Sequence, residues 1–310
     1  MKILSIAIAT LLVSFASCGQ NKAVEEGSGS MLQAEGYSSV YVGELPETLD
    51  FAGEAVPLGN FDTRESLRRE MLVTLYMHSR TYTTIVNSKR YLSVIEPILE
   101  RNGIPADFKY LCMAESGLDP EAVSTAGAGG LWQFMPATGK QYALFQEKNK
   151  VDERFHIEKS TEAACKYLKA AYARFGSWTL AAAAYNAGSE GVGKRMDVQG
   201  TKNYYDTYLP QETMRYVFRI LSLKLITSDP QAYGFRIAEG DLYPPLTDYE
   251  TVSVSGADIE WSKVAAEHGT NYKMLRLLNP WIRDYTYDNK GGRTFEVKVP
   301  RKGFREDPQR

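Results

Sequence analysis

Residues Phe108–Leu118 read FKYLCMAESGL, and one position among them is out of place. Phe108, Leu111 and Cys112 stand at i, i+3 and i+4, the spacing of a helix stripe that faces a core. The next member of that stripe, at i+7, is Glu115. A carboxylate aimed into an apolar face must find partners or keep its proton, because burial disfavours the charged form. A structural glutamate bonded to backbone amides meets that condition, and so does a functional acid. Ser116-Gly117 follows at once, so Glu115 sits at the C-terminal end of its helix. The negative end of the helix dipole disfavours a carboxylate there. A glutamate kept protonated near neutral pH is what a general acid requires.

Outward from this helix the pattern stays helical from about 61 to 237. TRESLRREMLVTLYMHS carries Leu67, Met71, Leu72 and Leu75; YLSVIEPILERNG ends in Gly103; STEAACKYLKAAYARFG ends in Gly176. SWTLAAAAYNAG and ETMRYVFRILSLKLI complete the set. Short loops between them predict a compact α-domain over 61–239. GDLYPPLTDYE, with two prolines, marks a linker at 240–249. Beyond it TVSVS and FEVKV alternate, with WSKVAAEHG and NYKMLRLLN between them, which predicts a small β-α-α-β unit over 250–302 and a tail over 303–310. Residues 19–60, rich in Gly, Ser and Glu with few periodic apolar positions, read as a tether.

The first 18 residues stand apart from the fold. Lys2 precedes an apolar run, Ile3–Phe15, too short for a bilayer and suited to a signal peptide. Ala16-Ser17 then leads to Cys18, which resembles the lipobox of bacterial lipoproteins, where the cysteine is lipidated; a plain signal peptide is the alternative. Lipidation places the protein in the cell envelope, periplasm-facing, on the outer membrane, without spanning it. Export permits a Cys112–Cys165 disulfide, but both lie in apolar helical contexts and read as free buried thiols. His78, His156 and His268 have no ligand spacing, so no metal site is expected. A net charge of −2 argues against a nucleic-acid partner, which calls for a basic excess.

Four further stretches resemble a known family. They are Ser124; Gly127-Ala128 with GLWQFMP at 130–136; AYNAG at 184–188; and ETMRYV at 212–217. With Glu115-Ser116 they resemble the lytic murein transglycosylases of goose-lysozyme-like fold, most closely the membrane-bound D type. The resemblance implies a mainly α protein: a lysozyme-like helical catalytic domain followed by a small β-α-α-β LysM-like domain. It implies cleavage of the β-1,4 bond between N-acetylmuramic acid and N-acetylglucosamine in peptidoglycan, with a 1,6-anhydro product and no cofactor. One glutamate, Glu115, would act as acid and then base. The intramolecular 6-hydroxyl needs no activated water, because its effective concentration is high. Asp119, in the DPEAV turn, reads as a capping residue and not as a second catalytic carboxylate.

The same resemblance implies substrate-binding roles for Ser124, Gln133, Met135, Tyr185, Asn186 and Tyr216. Ser124 would meet the acetamido group or Glu115, or else form a turn. Gln133 would point into the groove, or bond a helix start. Met135 would pack on a sugar, or in the core. The Tyr185 hydroxyl would orient Glu115, Asn186 would line the site or cap its helix, and the Tyr216 hydroxyl would reach the cleft, or its ring would fill the core. The C-terminal unit resembles a LysM module, a binder of N-acetylglucosamine chains, through Ser255-Gly256, Val264-Ala265, Leu275, Leu278-Asn279 and Val297–Pro300. It departs by one inserted residue before its first helix and by the long loop RDYTYDNKGGRT. The expected partners are peptidoglycan glycan strands and, through Cys18, a membrane. A water-adding muramidase and a non-catalytic wall-binding protein are the rival readings.

Overall fold

The computed structural model describes residues 42–306. Cys18, the expected signal peptide, the tether as far as residue 41 and the tail from 307 lie outside the described residues. Two short strands, β1 (Asp50–Phe51) and β2 (Glu54–Ala55), form a hairpin ahead of the helical domain. There follow α1 (Phe61–Tyr76), α2 (His78–Arg101), α3 (Phe108–Ser116) and α4 (Pro136–Gln141). A second hairpin, β3 (Gln146–Glu147) and β4 (Val151–Asp152), precedes α5 (Ile157–Phe175), α6 (Trp178–Ala187), α7 (Ser189–Gln199) and α8 (Gln211–Ser228). Among the described residues no helix is long and apolar enough to cross a membrane.

Helix α3 is the axis of the domain. Phe108, Leu111 and Cys112 are buried as their spacing predicts, and so are Tyr110, Met113 and Ala114 on the other faces. A helix apolar all round belongs inside a core, and α8 and α2 pack on it. It stops at Gly117, which adopts a left-handed φ of 65°. A β-carbon at Gly117 would also stand 3.1 Å from Thr84 Oγ1, so the helix end carrying Glu115 is tightly defined. Ala181–Ala184 of α6 are wholly buried, and their small side chains let α5, α7 and α8 lie close to it. Cys112 and Cys165 are free thiols, both buried.

The tether expected over 19–60 is packed structure from residue 42 onward. Val42, Leu45, Phe51, Val56 and Leu58 are all buried in the main core. Phe51 meets Phe108 edge to face with ring centroids 5.3 Å apart. The Glu54 carboxylate accepts hydrogen bonds from Thr179 N at 2.9 Å, Thr179 Oγ1 at 2.6 Å and Ser177 Oγ at 2.8 Å, capping α6. Burial pushes the Glu54 carboxyl up, but these hydrogen bonds outweigh it and leave its pKa below the usual value. The burial of this segment follows no period of 2 or 3.6, and its partners lie far off in the chain, 55 residues away for Ala52 and 125 for Glu54. Local patterning does not carry such contacts.

The C-terminal unit contains β5 (Tyr249–Val254), β6 (Asp258–Glu260), α9 (Trp261–Glu267), α10 (Tyr272–Leu278), β7 (Thr286–Asp288) and β8 (Phe295–Pro300). β5 and β8 pair antiparallel, with Val252 opposite Val297. The two regions that depart from the LysM pattern meet each other: the stretch just before α9, where one residue is inserted, forms β6, part of the long loop forms β7, and Ile259 pairs with Tyr287. The Asn279 amide donates to Lys298 O and accepts from Lys298 N, at 2.7 and 2.9 Å, holding the end of α10 to β8.

This unit does not hang from a free linker. Tyr243 N donates to Val86 O at 2.9 Å and Arg90 Nε to Pro244 O at 3.0 Å, which straps the 240–249 segment along α2. The β3–β4 hairpin shares the C-terminal core, with Val151 and Phe155 packed among Trp261, Trp281 and Ile282. Asp152 N donates to Trp281 O and Arg283 N to Lys150 O, both at 2.9 Å. Phe304, beyond the expected end of the unit, packs on Met274 and Leu278.

Candidate active site

Glu115 stands at the floor of a groove of about 1260 Å³. One wall comes from α2 (Arg80, Thr83, Asn87), and the floor comes from Glu115–Ser124 and Gln133. The opposite wall comes from α10 of the LysM-like unit, through Tyr272, Lys273 and Arg276. The Glu115 side chain is partly exposed to this groove and otherwise enclosed by protein. Burial pushes its pKa up from 4.5 to about 7, against the opposing pull of a hydrogen bond from Tyr216 and the charges of Arg219 and Arg80; Glu212 adds to the rise. Near neutral pH the group therefore exchanges its proton readily, as a residue that is acid in one step and base in the next must do.

Tyr216, from α8, is almost wholly buried and donates its hydroxyl to Glu115 Oε1. The face of α8 that carries it is fixed from behind. Arg215 Nε bonds Glu70 at 2.6 Å, and Arg219 lies 3.8 Å from the same carboxylate, which is 1% exposed. Arg219 also pairs with Glu212 at 3.0 Å.

The floor loop is built by backbone pairing. Ser124 N donates to Ala128 O at 2.9 Å, while Ser124 Oγ accepts from Ala128 N at 3.0 Å. Gly129 bridges both Val123 and Phe134. A β-carbon on Gly130, which has φ +76°, would lie 2.0 Å from the carbonyl oxygen of Arg154, so only glycine fits. The Arg154 guanidinium donates to Gly127 O at 2.7 Å and Phe134 O at 2.9 Å, holding both ends of the loop, and pairs with Asp152 at 2.6 Å. Gln133 adopts φ +47°, a left-handed conformation unusual for its residue type. Its amide donates to Gly130 O at 2.8 Å and Ala122 O at 3.1 Å. Local strain of this kind persists where the surroundings enforce it.

Glu115, Ser124 and Gln133 thus face one groove. The remaining expected residues surround it in other ways. The Tyr185 hydroxyl, expected on Glu115, donates instead to Trp132 O at 2.8 Å, and its ring packs edge-on to Tyr167 and Phe134. It clamps the loop segment that presents Gln133, and Tyr216 supplies the hydrogen bond to the acid. Asn186 Oδ1 accepts from Thr213 Oγ1 at 2.9 Å, tying the end of α6 to the start of α8. Met135 is 43% exposed at the residue preceding α4 and does not line the groove. Asp119 accepts from Glu121 N at 2.9 Å in a local turn, but no helix follows it before α4, so it is not the helix cap expected from the DPEAV stretch. Glu70, Arg154 and Arg80 were not signalled by the sequence: Glu70 acts through Arg215, Arg154 holds the distant Gly127 and Phe134 carbonyls besides its neighbour Asp152, and Arg80 lines the groove from α2.

Residues 94–207 match the family model of the transglycosylase SLT domain, and residues 250–303 that of the soluble lytic transglycosylase C-terminal LysM-like domain. Membrane-bound lytic murein transglycosylase D of Escherichia coli (strain K12) is 29% identical over 297 residues, which cover 93% of this chain. The match spans 63% of the length of that relative. Among solved structures, the 70 kDa soluble lytic transglycosylase of Escherichia coli is 21% identical with a TM-score of 0.38, covering 47% of this chain and 27% of that one. Lytic transglycosylase Slt of Pseudomonas aeruginosa is 21% identical with a TM-score of 0.36, covering 49% of this chain and 26% of that one. The chain thus matches an SLT transglycosylase domain model followed by a LysM-like C-terminal domain model, and is similar along most of its length to membrane-bound lytic murein transglycosylase D.

Proposed function

We propose that this chain is a peptidoglycan lytic transglycosylase of the cell envelope in which Glu115 is the single acid and base. The observation that carries the reading is a groove-floor glutamate with its pKa raised to about 7 and a buried tyrosine hydroxyl on its carboxylate. In the first half-reaction protonated Glu115 gives its proton to the glycosidic oxygen, and the bond from C1 of the N-acetylmuramoyl residue to that oxygen breaks. In the second, the Glu115 carboxylate takes the proton of the 6-hydroxyl of the same residue, whose oxygen bonds to C1. Glu115 ends protonated, the proton count balances, and no water is consumed. An intramolecular nucleophile needs only orientation, which a rigid groove supplies.

Ser124 and Gln133 then bind the sugars beside Glu115. Met135, exposed on the same segment, packs on a sugar further along. Tyr185 and Asn186 hold the floor loop and the start of α8. Cys18 carries the lipid that keeps the enzyme at the membrane, where it remodels the wall. The test is turnover of purified sacculi by the Glu115→Gln variant. The expected outcome is loss of at least about a thousandfold in rate, since general acid–base groups contribute roughly that much. A folded variant that keeps an appreciable fraction of wild-type turnover would refute the assignment.

A further inference from the structure

We propose that α10 of the LysM-like domain, together with α2, forms a subsite for the carboxylates of the stem peptide borne by the peptidoglycan strand. This rests on the reading of the groove as a peptidoglycan site and adds what the strand must carry.

The LysM-like unit is a fixed wall of that groove. Glu121, on the floor, pairs with Arg276 of α10 at 2.9 Å and with Arg283 just beyond it at 2.6 Å. Lys150 of the β3–β4 hairpin pairs with Asp284 at 2.5 Å, and the shared core locks the joint from beneath. Held in this way, α10 directs Tyr272, Lys273 and Leu277 at the same space that Glu115 faces.

Along this space cations without an ion-pair partner outnumber such carboxylates, three against Asp119 and Glu115. Arg80, Arg90 and Lys273 line the groove, and none forms an ion pair with a carboxylate among the described residues. Arg90 is oriented by Pro244 O and lies 5.0 Å from the Tyr243 ring centroid, while Lys273 is exposed. Arg276 Nε is buried with no hydrogen-bond partner. Of the wall's own acids, Glu121 is neutralised by two arginines. The chain as a whole carries −2, so this excess is local.

The sugars of a glycan strand offer hydroxyl and acetamido groups, which do not call for free cations. Its negative charge lies on the peptide attached to each lactyl group, whose carboxylates match arginine and lysine. Space is also available. The groove exceeds the usual range of small-ligand pockets, and a second cavity of about 890 Å³ continues from it, sharing Thr83, Arg90 and Tyr243.

The experiment compares rates of the detergent-solubilised full chain on peptide-bearing strands and on the same strands stripped of peptide by an amidase, whose lactyl groups keep one carboxylate each beside the sugar, so the comparison isolates the more distant carboxylates of the peptide. Wild type is expected to favour the peptide-bearing strands by about fivefold or more, an advantage that shrinks as salt is raised from about 0.05 to 0.5 M. Lys273→Glu is expected to cut that ratio about fivefold, and Lys273→Arg to keep it. Equal wild-type rates on the two substrates, or a Lys273→Glu variant that slows both in the same proportion, would overturn the subsite and leave the transglycosylase reading intact. Failure of wild type to cleave either substrate would overturn both.

Discussion

Replacing Tyr216 by Phe removes one oxygen and tests how the acid is tuned. The hydroxyl donates to Glu115 Oε1 and is the largest influence that lowers the Glu115 pKa against burial. A hydrogen bond to a charged group contributes about 1.5–3 kcal/mol. At 1.36 kcal/mol per pH unit, losing it should raise the Glu115 pKa by about 1–2 units. The lower end is the better expectation, because protonated Glu115 keeps part of the interaction by donating to Tyr216. The ring stays, so the core around α8 is filled as before. The assay is the pH dependence of kcat/KM on soluble glycan fragments, which reports the ionisations of the free enzyme. The wild-type rate should fall as pH rises through about 7, where Glu115 loses its proton. In the variant that fall should move about one unit toward higher pH while the acidic side keeps most of its rate. A limb that stays in place, or moves toward lower pH, would refute the claim that Tyr216 stabilises the ionised acid.

Glu115 should also cost the fold stability. Its folded pKa of about 7 lies above the ordinary 4.5, so stability falls as pH rises between those values and levels off above them. Glu115→Gln should therefore melt higher than wild type at pH 8, by up to about 3 kcal/mol, and by little at pH 4; equal gains at both pH values would contradict the burial argument. Glu70→Gln should lower stability by about 3 kcal/mol, the low end for a broken buried pair, because Arg215 can still reach water. It should also weaken the hold on the Tyr216 face of α8, so thermal melts and the pH profile should change together.

The helix that carries Glu115 was readable because it is local: the seven residues before it place Glu115, and Gly117 ends the helix with a conformation that glycine favours. Ser124, Gln133 and the Gly-rich turn were readable as a motif, and the structure brings them to the groove that Glu115 faces. What escaped is what depends on distant partners. Tyr185 and Tyr216 are both tyrosines on helices that reach the site, and only the packing of α8 on α3 decides which hydroxyl meets the acid. Residues 42–60 bury five side chains with no period, and the caps they supply go to a helix far along the chain. The inserted residue and long loop of the C-terminal unit read as departures from a pattern, because strand pairing between β6 and β7 is visible only once the two are side by side.

Under the proposed mechanism Glu115 cleaves the strand without water. The most direct test is mass spectrometry of the fragments that the full chain releases from sacculi in heavy-oxygen water. Fragments one water lighter than hydrolysis products, without a reducing end and without heavy oxygen at C1, are expected. Fragments with a reducing end that carry heavy oxygen would contradict the mechanism.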